Sequence, residues 1–269
     1  AMDGRDWGQF LIPYEQAVEE LKVKFKAIRV EMKKREEYSP IEFVTGRVKR
    51  VSSILEKAQR LQVPMDKLEE GIEDIAGIRI MCQFVEDIEH VASLIRERKD
   101  MKVLYEKDYI RNYKPSGYRS YHIIVEYMVQ TALGMKRILA EIQLRTLSMN
   151  FWATIEHSLS YKFRGELPED VKLRLQNAAE AAFKLDEEMS RIRHEVVAAQ
   201  KLFEDRSSLV RQILNDIQQL YFYKRAREAQ AFQQQFTELW GHDDDPWRLR
   251  ELAERIEMAL EEARRERES

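Results

Sequence analysis

Apolar residues recur at helical spacing near the start of the chain. Tyr14, Ala17, Val18, Leu21, Phe25, Ile28 and Met32 predict an amphipathic helix over residues 14–37, whose other faces carry Lys22, Lys24, Lys26, Arg29 and Lys33. The pattern breaks around Pro40 into a short segment, Ile41 to Gly46, before a second helix from about Val48 to Leu61 that Pro64 closes. Between residues 72 and 146 the period changes to two, which predicts strands at Gly77 to Phe84, Tyr121 to Val129 and Arg137 to Arg145. Residues 86–98, with Ile88, Val91, Ala92 and Ile95, read as a helix crossing over that sheet. Alternation sets Ile78, Ile80, Cys82 and Phe84 against Arg79, Met81 and Gln83, and Ile138, Ala140, Ile142 and Leu144 against Arg137, Glu141, Gln143 and Arg145. One face of the sheet is therefore expected in the core, and the other needs water or a ligand.

After Arg145 the pattern is helical to the end. From Pro168 onward Val171, Leu175, Ala178, Ala182, Leu185, Met189, Ile192, Val196, Ala199 and Phe203 follow a 4,3 spacing, an apolar seam that fits packing within one chain or an interface between chains. Amphipathic segments follow near 208–238 and 246–265, separated by Gly241, Asp243 to Asp245 and Pro246, which read as a helix end and a new helix start.

Composition narrows the class. A chain of 269 residues, 44% hydrophobic and 35% charged, is that of a globular protein. The single cysteine, Cys82, excludes an internal disulfide and a Cys-rich zinc site. No run approaches the roughly 20 apolar residues of a membrane span, and no signal-peptide pattern opens the sequence, so a cytoplasmic location without a membrane partner is expected. A net charge of -3 gives no bulk footprint for nucleic acid, so anion binding must come from local clusters of bases.

Three clusters carry chemistry. Placed at about 100° per residue, Lys49, Lys57 and Arg60 fall within an arc of about 80°, opposite Val51, Ile54, Leu55 and Ala58. Such a stripe is either a solvated face or three cations aimed at one polyanion. Asp74, ahead of a strand, and Glu141, on the polar face of another, are a sparse carboxylate pair of the kind that holds Mg²⁺ together with substrate phosphates. The run Lys114-Pro115-Ser116-Gly117-Tyr118-Arg119-Ser120-Tyr121-His122 is a turn opening into a strand, with an aromatic ring for a base and Lys114 and His122 within reach of phosphate or ribose.

Jointly these pieces resemble the small alarmone synthetases, stand-alone relatives of the synthetase domain of Rel/Spo proteins, and within them the RelQ type. The likeness rests on Ile41 to Lys49, Asp74-Ile75-Ala76-Gly77-Ile78-Arg79, Ser116 to His122, Glu141-Ile142-Gln143-Leu144-Arg145-Thr146 and Asn150 to His157, and covers residues 3 to about 204. It implies an α+β fold, a mixed β-sheet synthetase core flanked by helices, with a long helical C-terminal region. It also implies transfer of the β,γ-pyrophosphate of ATP to the 3′-hydroxyl of GDP or GTP, giving ppGpp or pppGpp and AMP. By that resemblance Arg47 and Arg79 sandwich adenine, and Lys49, Lys57 and Arg60 hold the triphosphate. Asp74 and Glu141 are catalytic and bind Mg²⁺, with Glu141 near the attacking hydroxyl, while Tyr118 stacks on guanine with Lys107, Lys114, His122 and Gln143 around the acceptor. A homotetramer activated allosterically by pppGpp is implied as well, with Lys22, Lys26, Arg29, Phe43, Thr45 and Asn150 matching the effector site and single-stranded RNA as a further regulator.

The expected division is a synthetase core at 2–165 that includes the first helix, an oligomerisation segment at 166–204, and helices of unassigned function at 205–269. Tyr105 stands where the long enzymes carry an Arg ahead of Lys107-Asp108. About 40 residues precede Gly46, so no preceding hydrolase domain is expected, and His242-Asp243 reads as a loop. A non-catalytic RNA- or nucleotide-binding oligomeric module is the competing reading.

Overall fold

The computed structural model describes residues 4–163, 166–241 and 246–268. The chain divides into two compact units, Ala1–Arg191 and Ile192–Ser269. The first is built on a five-stranded sheet in the order β1-β2-β5-β4-β3, where β1 is Phe43–Val48, β2 Ala76–Cys82, β3 Lys102–Asp108, β4 Tyr121–Thr131 and β5 Gly134–Thr146. Only β2 and β5 run parallel; the other pairs are antiparallel, so the sheet is mixed and the fold α+β.

Helix α1 (Trp7–Lys34) starts at Asp6, whose side chain accepts from the Gln9 amide, and lays Tyr14, Ala17, Val18, Leu21 and Phe25 onto one face of the sheet. Burying each large apolar side chain there contributes about 1.5–3 kcal/mol. The approach is close at Gly46, where a Cβ would lie 2.8 Å from Val18 Cγ1 and 2.9 Å from Ile78 Cδ1. Helix α2 (Val51–Arg60) follows β1; a 3-10 turn at Met65–Lys67, the short α3 (Leu68–Gly71) and α4 (Val85–Arg96) complete the elements up to β3. The opposite sheet face is covered in part. Met81, expected among the exposed polar positions, is 1% exposed, and Arg145 beside it in the register is buried too. Arg145 is bonded to Asn150 of α5 (Leu147–Lys162), which follows β5 directly.

β3 had no forecast, and the first helix begins earlier than its apolar spacing indicated. The long helix α6 (Glu169–Phe222) continues beyond the seam, and the break before α7 (Ala226–Trp240) comes at Lys224, which takes φ of 60° without a Gly or Pro to announce it. α8 spans Pro246–Glu268. The second unit has its own core of Ile213, Ile217, Leu220, Ala229, Leu249, Leu252, Ala253, Ile256 and Leu260. The predicted turn at Asp243 to Asp245, with His242, lies outside the described residues.

Candidate active site

Register brings the separated motifs together. One lateral row of Cα partners crosses all five strands as Thr45, Arg79, Gln143, His122 and Lys107, and the next runs Arg47, Gly77, Glu141, Ile124, Tyr105. These rows lie on the face opposite α1, because Gly46 and Ile78, one residue out of step with them, touch the α1 side. A cleft over β1, β2 and β5 is lined by Thr45, Arg47, Asp74, Gly77, Arg79, Glu141 and Gln143.

Asp74 joins Lys57 of α2 to Lys49, which lies between β1 and α2 rather than on the predicted helix face. Its Oδ2 accepts from Lys49 Nζ at 2.9 Å and its Oδ1 from Lys57 Nζ at 2.9 Å. Burial raises the Asp74 pKa, but the hydrogen bonds from Lys57 and Lys49 outweigh it and hold the carboxyl below its ordinary value. Arg60, the third member of the predicted stripe, is exposed at the end of α2. Arg79 donates from Nε to Gln143 Oε1 at 3.3 Å, and Gln143 Nε2 donates to Glu141 Oε1 at 2.8 Å, so Arg79, Gln143 and Glu141 are linked in series. Burial, with Arg145 and Arg47 nearby, lowers Arg79 to about 10, which leaves it charged at neutral pH.

On the other side of Glu141 a second series forms. Arg145 Nη2 donates to the Tyr118 hydroxyl at 2.7 Å, and that hydroxyl lies 2.9 Å from His122 Nε2. The other ring nitrogen, Nδ1, faces Glu141 Oε2 at 3.6 Å. Burial, then the charges of Arg145, Lys114 and Lys107, push the His122 imidazole down to about 3, so it is neutral and its approach to Glu141 is not an ion pair. Lys114 Nζ stands 4.8 Å from the Tyr109 ring centroid and 5.1 Å from that of Tyr118, and Lys107 Nζ stands 5.3 Å from Tyr105. The Tyr105 hydroxyl bonds to Glu73.

Comparison with known proteins supplies the family. A family description, "Region found in RelA / SpoT proteins", matches residues 46–166. The chain is 60% identical over 202 residues to the GTP pyrophosphokinase YjbM of Bacillus subtilis (strain 168), which covers 75% of this chain and 95% of that protein. It belongs to the small alarmone synthetases. A crystal structure of small alarmone synthetase 1 from Bacillus subtilis bound to its product pppGpp superposes with a TM-score of 0.69 at 61% identity, covering 71% of this chain and 97% of that one. The same protein bound to AMPCPP gives 0.64 at 57% identity, covering 71% and 98%.

The synthetase does not gather every predicted effector residue within one chain. Phe43 and Thr45 stand on the cleft side of the edge strand β1, whereas the Lys22 stem comes 3.1 Å from where a Gly46 Cβ would lie, on the α1 side. Lys26 and Arg29 are exposed on α1, and Asn150 is on α5, where its Oδ1 accepts from Arg145 Nη1 at 3.3 Å. Lys22 pairs with Glu19 of its own helix, and Asn150 with Arg145. Sequence reasoning gave no role to Arg145 or Tyr109. The signal for Arg145 was present, because alternation sets it on the same face as Glu141 and Gln143; Tyr109 sits at the end of an unforecast strand, with its ring 5.1 Å from His122.

The donor set suits Mg²⁺. Among the described residues no group of three or more His, Cys, Asp or Glu forms a self-sufficient metal site. Asp74 and Glu141 instead line one cleft with Arg47 and Arg79, as expected for an ion held by one or two carboxylates and completed by substrate phosphates. No helix among the described residues is long and apolar enough to cross a membrane.

Proposed function

We propose that this synthetase transfers the β,γ-pyrophosphate of ATP to the 3′-hydroxyl of GDP or GTP, releasing AMP. The observation that carries the reading is the placement of Glu141 on the central strand β5. Arg47, Arg79, Lys49, Lys57 and Asp74 lie toward β1 and β2, and His122, Lys107, Lys114 and Tyr118 toward β4 and β3. Two nucleotides laid along that face meet over the carboxylate.

Arg47 and Arg79 sandwich adenine, while Lys49, Lys57 and Arg60 neutralise the triphosphate. Tyr118 stacks on guanine, a contact worth about 1–3 kcal/mol for such rings. Lys107, Lys114, His122 and Gln143 surround the acceptor. Glu141 takes the proton of the 3′-hydroxyl; the oxygen attacks the β-phosphorus, and the bond from that phosphorus to the bridging oxygen breaks, its electron pair leaving on AMP. Asp74 and Glu141 would hold Mg²⁺, which would supply Lewis-acid neutralisation of the phosphate charge. Positioning and charge neutralisation are most of the catalysis here.

Activation by pppGpp in a homotetramer is part of the same proposal. Leu185, Met189, Ile192 and Val196 of the α6 seam, with Phe151 and Ile155 of α5, are exposed, and an apolar surface of this kind favours the interface reading of the seam. Residues 166–204 thus serve assembly, and Lys22, Lys26, Arg29, Phe43, Thr45 and Asn150 come together only between subunits. The test is AMP formation from ATP, measured with Mg²⁺ and GDP or GTP supplied or withheld. AMP release that persists without an acceptor nucleotide or without Mg²⁺ excludes the reaction.

A further inference from the structure

Arg119 stands inside the acceptor loop, between the proposed base-stacking Tyr118 and Ser120, with no role yet. It is 5% exposed, an unusual place for a guanidinium. Its Nη2 donates to Glu180 Oε2 at 2.8 Å and its Nη1 to the Gly117 carbonyl at 3.5 Å. The guanidinium carbon lies 4.2 Å from the Tyr113 ring centroid and 4.8 Å from that of Phe183. Tyr113 and Gly117 belong to the loop, and Glu180 and Phe183 are neighbours on α6, so a single cation joins the two elements. Burying it costs desolvation, and Nε has no hydrogen-bond partner, so a net gain in stability does not explain its presence.

Two further observations tie the same loop to the same stretch of helix. Gly117 has φ of 99°, and a Cβ there would lie 2.7 Å from Ala179 Cβ and 3.4 Å from both Gln176 Cα and Trp152 Cζ2. Trp152 Nε1 donates to the Leu175 carbonyl at 2.8 Å, and Tyr118 packs on the cluster of Trp152, Ala153 and Ala179. From this geometry we propose that residues 175–183 of α6 are the seat on which the acceptor loop is shaped, and that Arg119 is the positioning residue that pins the loop there. It fixes the Tyr118 ring, and so the acceptor nucleotide, without touching either nucleotide. The proposal rests on the reading of Tyr118 as the guanine-stacking residue.

The test uses the full chain with Arg119→Ala, Arg119→Lys and Glu180→Gln, measuring KM for GDP and for ATP separately, the Kd of a fluorescent N-methylanthraniloyl GDP, and thermal melting. A loop displaced by about 1 Å should raise the GDP KM and the analogue Kd on the order of tenfold in Arg119→Ala, leaving the ATP KM within about twofold. Arg119→Lys should recover part of the loss, since an ammonium keeps Glu180 as partner but cannot lie flat between two rings. Glu180→Gln should shift the same two quantities by less. If Arg119→Ala does not fold, Phe183→Leu with Glu180→Gln must show the same split. Equal rises in both KM values, or an unchanged analogue Kd, would overturn the proposal. A wild type that binds the analogue yet releases no AMP would remove the proposed reaction, while the Kd series would still decide on Arg119.

Discussion

Replacing Glu141 by Gln keeps the volume of the side chain and removes its charge, and the surroundings make the outcome calculable. Oε1 accepts from Gln143 Nε2 at 2.8 Å, and Oε2 faces His122 Nδ1 at 3.6 Å. Each carboxylate oxygen thus faces one neighbour. A Gln amide offers one acceptor oxygen in place of two, so only one of the two contacts keeps an acceptor. The mismatch should cost about 1–3 kcal/mol of stability, the range for a polar group left unsatisfied. The reaction should suffer more. Loss of a positioned base typically removes 10²–10⁴-fold of rate, or about 3–5 kcal/mol of barrier lowering. The assay is AMP release followed by chromatography at saturating ATP, GDP and Mg²⁺, with circular dichroism and mass determination to establish an intact fold and assembly. A kcat within about threefold of wild type, less than 1 kcal/mol of barrier, would refute the placement of Glu141 at the reacting centre.

Three further outcomes follow from particular contacts. Gly46→Ala should destabilise by about 1–3 kcal/mol, since its Cβ must push back Val18 and Ile78; an unchanged urea midpoint would contradict the close approach of α1. Burial depresses the His122 pKa to about 3, so the unfolded chain binds the extra proton between pH 6.5 and 3, and stability is full above that window and falls as pH falls through it. His122 should account for about 2 kcal/mol of the loss between pH 7.5 and 5, and His122→Gln should flatten the denaturation profile by that amount; parallel profiles would count against a buried neutral imidazole. Lys26→Ala with Arg29→Ala should abolish stimulation by pppGpp and spare basal turnover, since both are exposed on α1 away from the cleft; an unshifted half-maximal effector concentration in a variant of unchanged mass would place the effector elsewhere.

What was legible in the sequence was whatever has a period. Helical angles grouped Lys49 with Lys57, and the two do meet at Asp74, although Lys49 lies ahead of α2 and only Lys57 is on it; alternation placed Glu141 and Gln143 together on the polar face of β5, where the register makes them neighbours of Gly77 and Arg79. What has no period stayed hidden. β3 lies at a sheet edge, and its register shifts between Val103 and Tyr105, so its residues never alternate cleanly and no strand announced itself. Met81 and Arg145 looked solvent-facing because alternation says which face a residue takes, not whether another element covers it. The embedding of Arg119 was illegible for the same reason, since its partners Glu180 and Phe183 lie far along the chain in a helix whose own seam pointed elsewhere.

The paired grip of Lys49 and Lys57 on Asp74 bears on how the pocket behaves before any nucleotide arrives. The carboxylate acts as an internal counter-ion, so these two lysines do not present bare positive charge to the solution. Orthophosphate, sulfate and other abundant small anions must compete with a tethered rival and bring nothing to replace it at Asp74. A magnesium-bound triphosphate differs in carrying both halves of the exchange, anionic oxygens for the lysines and a cation for the aspartate. Because the two ion pairs of Asp74 are exchanged for new ones, donor binding should release few salt ions from solution and depend only shallowly on ionic strength compared with a pocket of free cations. Under the proposed function the site should therefore favour a neutralised pair over a naked anion.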